Sequence, residues 1–342
     1  MSRPFEALPL WLDSSLSRDD VRRLAERIIT WAGSYPGAVR VDPNVFKSPL
    51  LAEEAAVSSR SHFSEEKIEE DIRKVANKKK EFLSESDAYN KKRAEALEII
   101  ITFFGKTMGW FGQDAYISRT SEYDDWFNGV DGVIEIEFDD GNERVAIVID
   151  ASMSSDPEVL NKKINSNIEK VLHPEQSEVK YFVSAKDGKR GSLSLAIPVV
   201  IGVDGNHTND LIIAAASMLT NREKDGKTFS LSFAQSSVLE KHPCQFVFLD
   251  EIIAQLDEYA DLLAKRNDQR YVSHIATIKK IREYFAKVRK EKRATLLAEN
   301  DDAVRRDDYA NGDFLYQSIV GIPKSPKESG VKRRVVRRVN NV

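Results

Sequence analysis

The sequence contains one cysteine, Cys244, among its 342 residues. A lone cysteine excludes an intramolecular disulfide and any zinc site built from several thiolates, and it suits a reducing compartment. No apolar run reaches the roughly 18 residues that a membrane span requires, and the N-terminus lacks a basic segment followed by an apolar one. We therefore expect a cytoplasmic protein without a membrane partner.

Several common catalytic signatures are also missing. There is no Walker glycine-lysine loop, no Gly-x-Ser-x-Gly elbow and no Gly-x-Gly-x-x-Gly turn. The five histidines show no ligand spacing, such as two histidines four residues apart with an acid between them. Nucleotide hydrolysis by a P-loop, serine-hydrolase chemistry and dinucleotide binding are therefore not expected.

The composition is that of a globular protein with a well-charged surface, since 41% of the residues are hydrophobic and 31% are charged. The net charge of −4 gives no overall attraction to nucleic acid. The charges are unevenly placed, however, because acids crowd residues 122–158 and bases crowd residues 265–293 and 324–338. The distribution of charge along the chain is thus more informative than the net charge.

Periodicity and capping signals divide the chain into four parts. Residues 1–86 read as a helical extension, with one helix capped by Ser17 and a polar helix over residues 64–82. Residues 87–250 alternate helices and strands and form an α/β core. Residues 251–300 predict two helices, the second rich in lysine and arginine, and residues 301–342 read as a largely irregular basic tail.

The predicted core begins with a helix from Asp87 that becomes apolar through Met108. A hairpin follows, in which the strand over residues 132–138 and the strand over residues 143–149 flank the tight-turn sequence Asp139-Asp140-Gly141-Asn142. Asp156 then caps a helix, and two strands are expected at 178–183 and 195–203, the second of them central. The fold class is therefore α/β, a central mixed sheet with flanking helices and helical N- and C-terminal extensions.

Two aspartates occupy informative positions in this hairpin. Asp131 immediately precedes the first strand, and Asp150 ends the second. Adjacent antiparallel strands bring such ends together, so both carboxylates are expected to reach one Mg²⁺ or Mn²⁺, hard cations that prefer oxygen ligands. The alternative for Asp131 is a turn-capping role. The nearby Asp124, Asp125 and Asn128 either extend the acidic cluster or only solvate a loop, and we favour the loop.

The order of these elements and the segments Val130-Asp131 and Asp150-Ala151-Ser152 resemble the core of the PD-(D/E)XK nuclease superfamily, over residues 87–184. The resemblance implies a restriction-endonuclease-like core in which the two acids hold a divalent metal. It also implies a lysine two residues after the second acid, which places or deprotonates the attacking water. Here that position is Ser152.

A nuclease would need a lysine from elsewhere in the chain. The predicted topology offers Lys180, which we favour, and Lys162 or Lys163, although each is a candidate for an ordinary surface lysine. Glu98 is the expected catalytic assistant, and Glu135, on the same strand face as Asp131, is the expected further metal ligand.

The hypothesis is a Mg²⁺- or Mn²⁺-dependent nuclease acting on DNA, and a homodimer is left open. The basic helix over residues 279–293 could track a phosphate backbone or could be a solvated face. Two alternatives remain. One is a catalytically inactive nuclease-like scaffold that binds nucleic acid or a protein partner. The other is a structural protein in which the acids only cap turns.

Overall fold

The computed structural model describes residues 16–60, 62–81, 88–138, 143–154, 156–221, 229–299 and 313–320. Three sequence predictions fall wholly or partly outside these ranges: the helix start at Asp87, the tight turn Asp139-Asp140-Gly141-Asn142 and the irregular tail over residues 301–342. Of that tail only residues 313–320 are described, and they contain a helix, Phe314–Val320, that was not predicted. Within the described ranges, no helix combines the length and the apolar character needed to cross a membrane.

The structure is mixed α/β. Its helices are α1 Arg18–Ala32, α2 Ala52–Val57, α3 Glu65–Glu81, α4 Ala88–Ile99, α5 Gly105–Thr107, α6 Pro157–Leu172, α7 Gly205–Ser217, α8 Ser236–Glu240, α9 Cys244–Arg266, α10 Val272–Glu299 and α11 Phe314–Val320. Its strands are β1 Ala115–Arg119, β2 Gly132–Phe138, β3 Glu143–Ser152, β4 Glu178–Val183, β5 Arg190–Ser194, β6 Ile197–Gly202, β7 Leu219–Asn221 and β8 Phe229–Leu231. A π-helical segment, Ile100–Phe104, joins α4 to α5, and a second one, Asp124–Asn128, lies between β1 and β2.

The central sheet has four strands in the order β1-β2-β3-β6. β1, β2 and β3 form an antiparallel meander, whereas β6 runs parallel to β3 after the crossover through α6. The predicted hairpin and the helix capped by Asp156 are confirmed. So is the Ser17 cap, where the side chains of Ser17 and Asp20 exchange hydrogen bonds with each other's backbone.

The two faces of β2 and β3 are covered by different layers, as the alternation of side chains requires. Ile134, Ile136, Ile147 and Ile149 belong to the main core, which also contains residues of α1, α4, α7 and α9. On the opposite face Val133 and Val148 pack with residues of the β4–β5 hairpin. Asp131 and Asp150 share this second face by their position in the strands, so they lie on the side of the sheet that the hairpin covers.

The strand assignment differs from the sequence prediction in several places. β1, β5 and β7 were not predicted, and the segment of β1 is short and follows glycine-containing turns. The strand at 178–183 exists, but it pairs with β5 in a separate two-stranded sheet. The place beside β3 is taken instead by β6, whose six residues are all buried. β6 is an edge strand of the four-stranded sheet, so the prediction that it is a central strand is wrong.

The outer edge of β6 is closed by side chains of α9. The Gln255 amide donates to the carbonyl oxygen of Val200 at 2.7 Å and accepts from the Val200 amide at 2.9 Å. The Glu251 carboxyl group accepts from the Gly202 amide at 2.9 Å. A buried strand edge with unpaired backbone groups is costly, and these two side chains take the place of a fifth strand.

We predict that Gln255→Leu lowers the free energy of unfolding by about 3 kcal/mol, because it leaves a buried amide and a buried carbonyl without partners. Asp261→Leu, an exposed position on the same helix, is the control and should change stability little. Urea denaturation of both variants is the measurement. Equal stability of the Gln255 variant and the wild type would show that the edge of β6 needs no cap.

Candidate active site

Acidic side chains from three elements meet at one end of the central sheet. Glu98 comes from α4, Asp125 from the π-helical turn and Asp131 from the residue before β2. One carboxylate oxygen from each lies within 4.8 Å of the other two. These are hard oxygen donors of the kind that Mg²⁺ and Mn²⁺ prefer, so the donor set fits such an ion.

Asp150 joins this group through strand pairing. The β2–β3 register pairs Gly132 with Ile149, which sets Asp131 across from Asp150. The Asp131 amide donates to the Ile149 carbonyl at 2.8 Å, and the Ala151 amide donates to the Asp131 carboxylate at 2.7 Å. The backbone of β3 on either side of Asp150 therefore holds both the main chain and the carboxylate of Asp131 in place.

Three cations surround the acids. Arg40, from the loop after α1, pairs with Glu98 and lies 2.9 Å from Asp125. Arg119, at the end of β1, lies 3.3 Å from Glu98. Lys163, in the second turn of α6, lies 2.5 Å from Asp150. Buried carboxylates that close together repel one another, and these cations reduce the cost.

The pKa values of the carboxyl groups in the cluster are raised. Burial, together with the neighbouring Asp125 and Asp150, raises the pKa of Asp131 to about 8. Burial and Asp131 likewise raise the pKa of Glu98 to about 7, and burial raises the pKa of Asp125 to about 6 despite the opposing effect of Arg40. Several shifted carboxyl groups in one place are typical of functional sites, although ion-pair networks produce them too.

The adjacent residues Asp124 and Asp125 have different roles. The Asp124 carboxylate is fully buried and accepts hydrogen bonds from the backbone amides of Lys180 and Tyr181, at 2.7 and 3.0 Å. It also accepts from Asn128 at 2.7 Å. Asp124 thus ties the turn to β4, and Asp125 projects into the cluster. The prediction that these residues only solvate a loop is therefore wrong for Asp124, which is buried and bonded to β4, and for Asp125, which lies among the acids.

Lys180 and Glu135, expected at the metal site, contact residues outside the acid cluster instead. The Lys180 ammonium is bonded to the buried Asp71 of α3, and it also lies 5.0 Å from the centre of the Tyr123 ring. The expectation that Lys180 serves the two aspartates is corrected accordingly, because its buried charge is already paired. The Glu135 carboxylate accepts from Ser184, whose hydroxyl is 3.0 Å away, and from the Ala185 amide at 2.9 Å, so it holds the β4–β5 hairpin.

Lys163 is the lysine that the fold brings to Asp150. The sequence named it only as one of three substitutes, since the distance from α6 to the end of β3 depends on how the helix packs. Ser152, at the position where the superfamily resemblance implies a lysine, is buried, and its hydroxyl accepts from the Ser154 amide at 3.4 Å. Arg40 and Arg119 had no sequence signal, because a single arginine in a loop or strand has no pattern.

A second group with metal-ligand chemistry consists of Asp204, His207 and Asp313. Asp204 caps α7 by accepting from the amides of Asn206 and His207, and Asp313 accepts from the first amides of α11. His207 lies 2.9 Å from Asp204 and 3.4 Å from Asp313. The group therefore joins the starts of two helices, through Oδ1 of Asp204 and both carboxylate oxygens of Asp313.

The basic helix of the sequence analysis is α10. Three of its cations pair with acids of other elements, Lys280 with Glu143, Arg282 with Asp257 and Arg289 with Asp250. Its role in binding nucleic acid stays a prediction.

No known protein family, curated protein or solved structure matches this chain in the comparisons.

We predict that Lys180→Met lowers the free energy of unfolding by about 3 kcal/mol, because it removes the closest cation of the buried Asp71 carboxylate and leaves only Lys74, 3.7 Å away. Lys279→Met, an exposed lysine of α10, is the matched control and should be neutral. Chemical denaturation measures both. An unchanged stability for the Lys180 variant would contradict a structural role for this lysine.

Proposed function

We propose that the protein is a metal-dependent nuclease that hydrolyses phosphodiester bonds in DNA, with a core like that of the PD-(D/E)XK superfamily. The observation that carries the proposal is the convergence of Glu98, Asp125, Asp131 and Asp150 at one sheet end, with Lys163 paired to the last of them. Three carboxylates within ligand distance of one another and an adjacent lysine are the groups that this chemistry requires.

The topology supports the same proposal. The resemblance rests on a helix, an antiparallel pair of strands, a second helix and a last strand at 178–183, and the first four of these follow one another as α4, β2, β3 and α6. The last strand, β4, belongs to a separate sheet, and its place beside β3 is taken by β6, which runs parallel to β3 and lies outside residues 87–184, while β1 is added before the pair. Both aspartates lie at the end of the sheet, and Asp150 also lines an adjacent groove by which a substrate phosphate would approach.

Asp131, Asp125 and Glu98 would hold Mg²⁺ or Mn²⁺, with Asp150 on the adjacent strand. Once bound, the ion supplies Lewis-acid polarisation of the phosphate and lowers the pKa of a water molecule. The protein's own contribution is positional. The Ala151 amide orients the Asp131 carboxylate, and Arg40 and Arg119 restrain Glu98.

Lys163 takes the role of the missing motif lysine in this proposal. Burial alone would lower the pKa of its ammonium, but the carboxylates of Asp150, Asp131 and Glu98 together outweigh burial and leave the pKa raised. The lysine therefore stays protonated at neutral pH. It would orient a water molecule and stabilise negative charge on the phosphate, and it would not act as a general base.

A specific observation favours a second candidate, the inactive scaffold. The Arg40 guanidinium contacts both Glu98 and Asp125, so the carboxylates are partly neutralised by protein cations without any metal. A chain that had lost the motif lysine could keep these acids as a buried ion network that only stabilises a nucleic-acid- or protein-binding surface.

We predict that the wild type cleaves plasmid or single-stranded DNA in Mg²⁺ or Mn²⁺ and that Asp150→Ala abolishes cleavage. Lys163→Met should lower the cleavage rate by about 100-fold or more, because a positioned proton donor or charge contributes at least that much. Lys106→Met, an exposed lysine of α5 outside the basic helix and the acid cluster, should cleave as the wild type does. Gel assays at equal protein concentration provide the measurement.

Each failure of this experiment has a distinct meaning. Cleavage retained by Asp150→Ala would indicate a contaminating nuclease or a different site. Absence of cleavage by the wild type, with no heat of Mg²⁺ or Mn²⁺ binding in calorimetry, would favour the scaffold.

We also predict that Mg²⁺ affinity rises between pH 6 and pH 8. Below the Asp131 pKa of about 8 a proton occupies the cluster, and the metal must displace it. The raised pKa of Asp131 also predicts how the stability of the metal-free protein changes with pH. A native pKa above the unfolded one means that the native state binds more protons, so stability falls as pH rises toward 8.

Calorimetry at the two pH values and thermal unfolding without metal test both parts. Asp131→Asn should have weaker metal binding and a smaller decline of melting temperature with pH. A metal affinity independent of pH would show that the carboxylates are ionised before the metal arrives.

A further inference from the structure

A groove of about 360 Å³ opens beside Asp150, between the turn that carries Asp125 and helix α6. Its walls are residues 127–130 on one side and α6 on the other, and Val179 of β4 also contributes to its lining. Asp150 and Lys163 of the candidate site are among its lining residues, and the rest of the lining has no part in the chemistry proposed above.

One aromatic ring in the wall of the groove is exposed. Phe127 is 43% accessible, and its ring stacks on Tyr123 with centroids 5.1 Å apart and planes at 27°. Tyr123 in turn packs edge-on against Tyr181, which is fully buried. The ring of Phe127 therefore rests on a fixed aromatic support, which favours a binding role over a mobile surface side chain.

The turn that presents Phe127 is held at both ends. Asp124 ties its start to β4, and Gly129 closes its π-helical segment in the left-handed conformation, with φ of 64°. Lys170 of α6 donates to the Asn128 carbonyl at 2.7 Å and so joins the two walls of the groove. The spacing between Phe127 and α6 is thereby set before any ligand arrives.

The opposite wall is cationic. Lys162, Lys163 and Lys170 of α6 all line the groove, and Asp150 and Glu178 are the acids of its lining. Lys163 is paired with Asp150 and Lys170 with the Asn128 carbonyl, so the exposed Lys162 is the lysine most open to a phosphate. A phosphate backbone is attracted to such a wall, whereas the exposed ring offers a face to a flat apolar group. A ring and a row of cations facing one another across a narrow groove are the two parts of a site for single-stranded nucleic acid.

Double-stranded DNA presents phosphates, but the faces of its bases are stacked inside the helix, so a duplex base cannot stack on a side chain in the groove wall. An unpaired base can. We infer that this groove binds an unpaired nucleotide of single-stranded DNA next to the scissile phosphate, with the base stacked on Phe127 and the backbone along α6. The inference deepens the proposed function and rests on it for the position of the scissile phosphate.

The test measures binding in EDTA, where no hydrolysis intervenes. Fluorescence anisotropy is recorded with a labelled oligodeoxythymidylate and with a labelled duplex of matched length, for the wild type, Phe127→Leu and Phe127→Tyr. The leucine keeps an apolar contact with Tyr123 and removes the ring. Loss of one stacked base should weaken single-strand binding by about tenfold. Phe127→Tyr should restore it, and duplex binding should not change.

Phe233→Ala is the matched control, an exposed phenylalanine outside the groove, and it should bind as the wild type does. Single-strand binding by Phe127→Leu equal to that of the wild type would overturn the inference, as would an equal loss for single strand and duplex. A Phe127-dependent preference for an oligouridylate of the same length over the DNA strand would overturn the assignment to DNA. The melting temperature of each variant reports whether it is folded.

The outcome is separable from that of the proposed function. Phe127-dependent single-strand binding without cleavage by the wild type would reject the nuclease and retain the groove. Cleavage that requires Asp150, together with no effect of Phe127 on binding, would retain the nuclease and reject the groove.

Discussion

The pairing of β2 with β3 is the constraint on which the candidate site depends. Antiparallel pairing alternates side chains strictly, so a register shift of one residue would turn Asp131 to the other face of the sheet and into the apolar core. The valines on one face and the isoleucines on the other oppose such a shift. The core thus specifies the position of the acids, and the amide of Ala151 then orients one of them.

Placing four carboxylates at one sheet end is unfavourable unless the surroundings compensate. The fold supplies cations from a loop, a strand and a helix, namely Arg40, Arg119 and Lys163. Compensation by arginine and lysine is incomplete, because the pKa values of Glu98, Asp125 and Asp131 remain raised. A cluster that holds protons in this way is less stable when all its acids ionise, and a divalent ion would remove that cost.

Local signals in the sequence predict the parts of this arrangement that depend on neighbours in the chain. The hairpin, the Ser17 and Asp156 caps and the facing positions of Asp131 and Asp150 follow from alternation, turn residues and capping. The remaining features depend on tertiary packing. Whether Lys163 or Lys180 reaches Asp150 depends on where α6 and β4 come to rest. That β6, and not β4, completes the sheet depends on α9, whose Gln255 and Glu251 close the strand edge.

The Asp124–Asp125 pair shows why residue type alone cannot assign function. Both are acids of one turn, but Asp124 is buried and accepts hydrogen bonds from backbone amides of β4, so its carboxylate has a structural role, whereas Asp125 is only half-buried. Because β4 is itself held by the Lys180–Asp71 pair to α3, the turn stands on a buried polar network. Such networks are costly to form and rigid once satisfied. That rigidity lets a single short turn direct Asp125 into the acid cluster and Phe127 into the groove beside it.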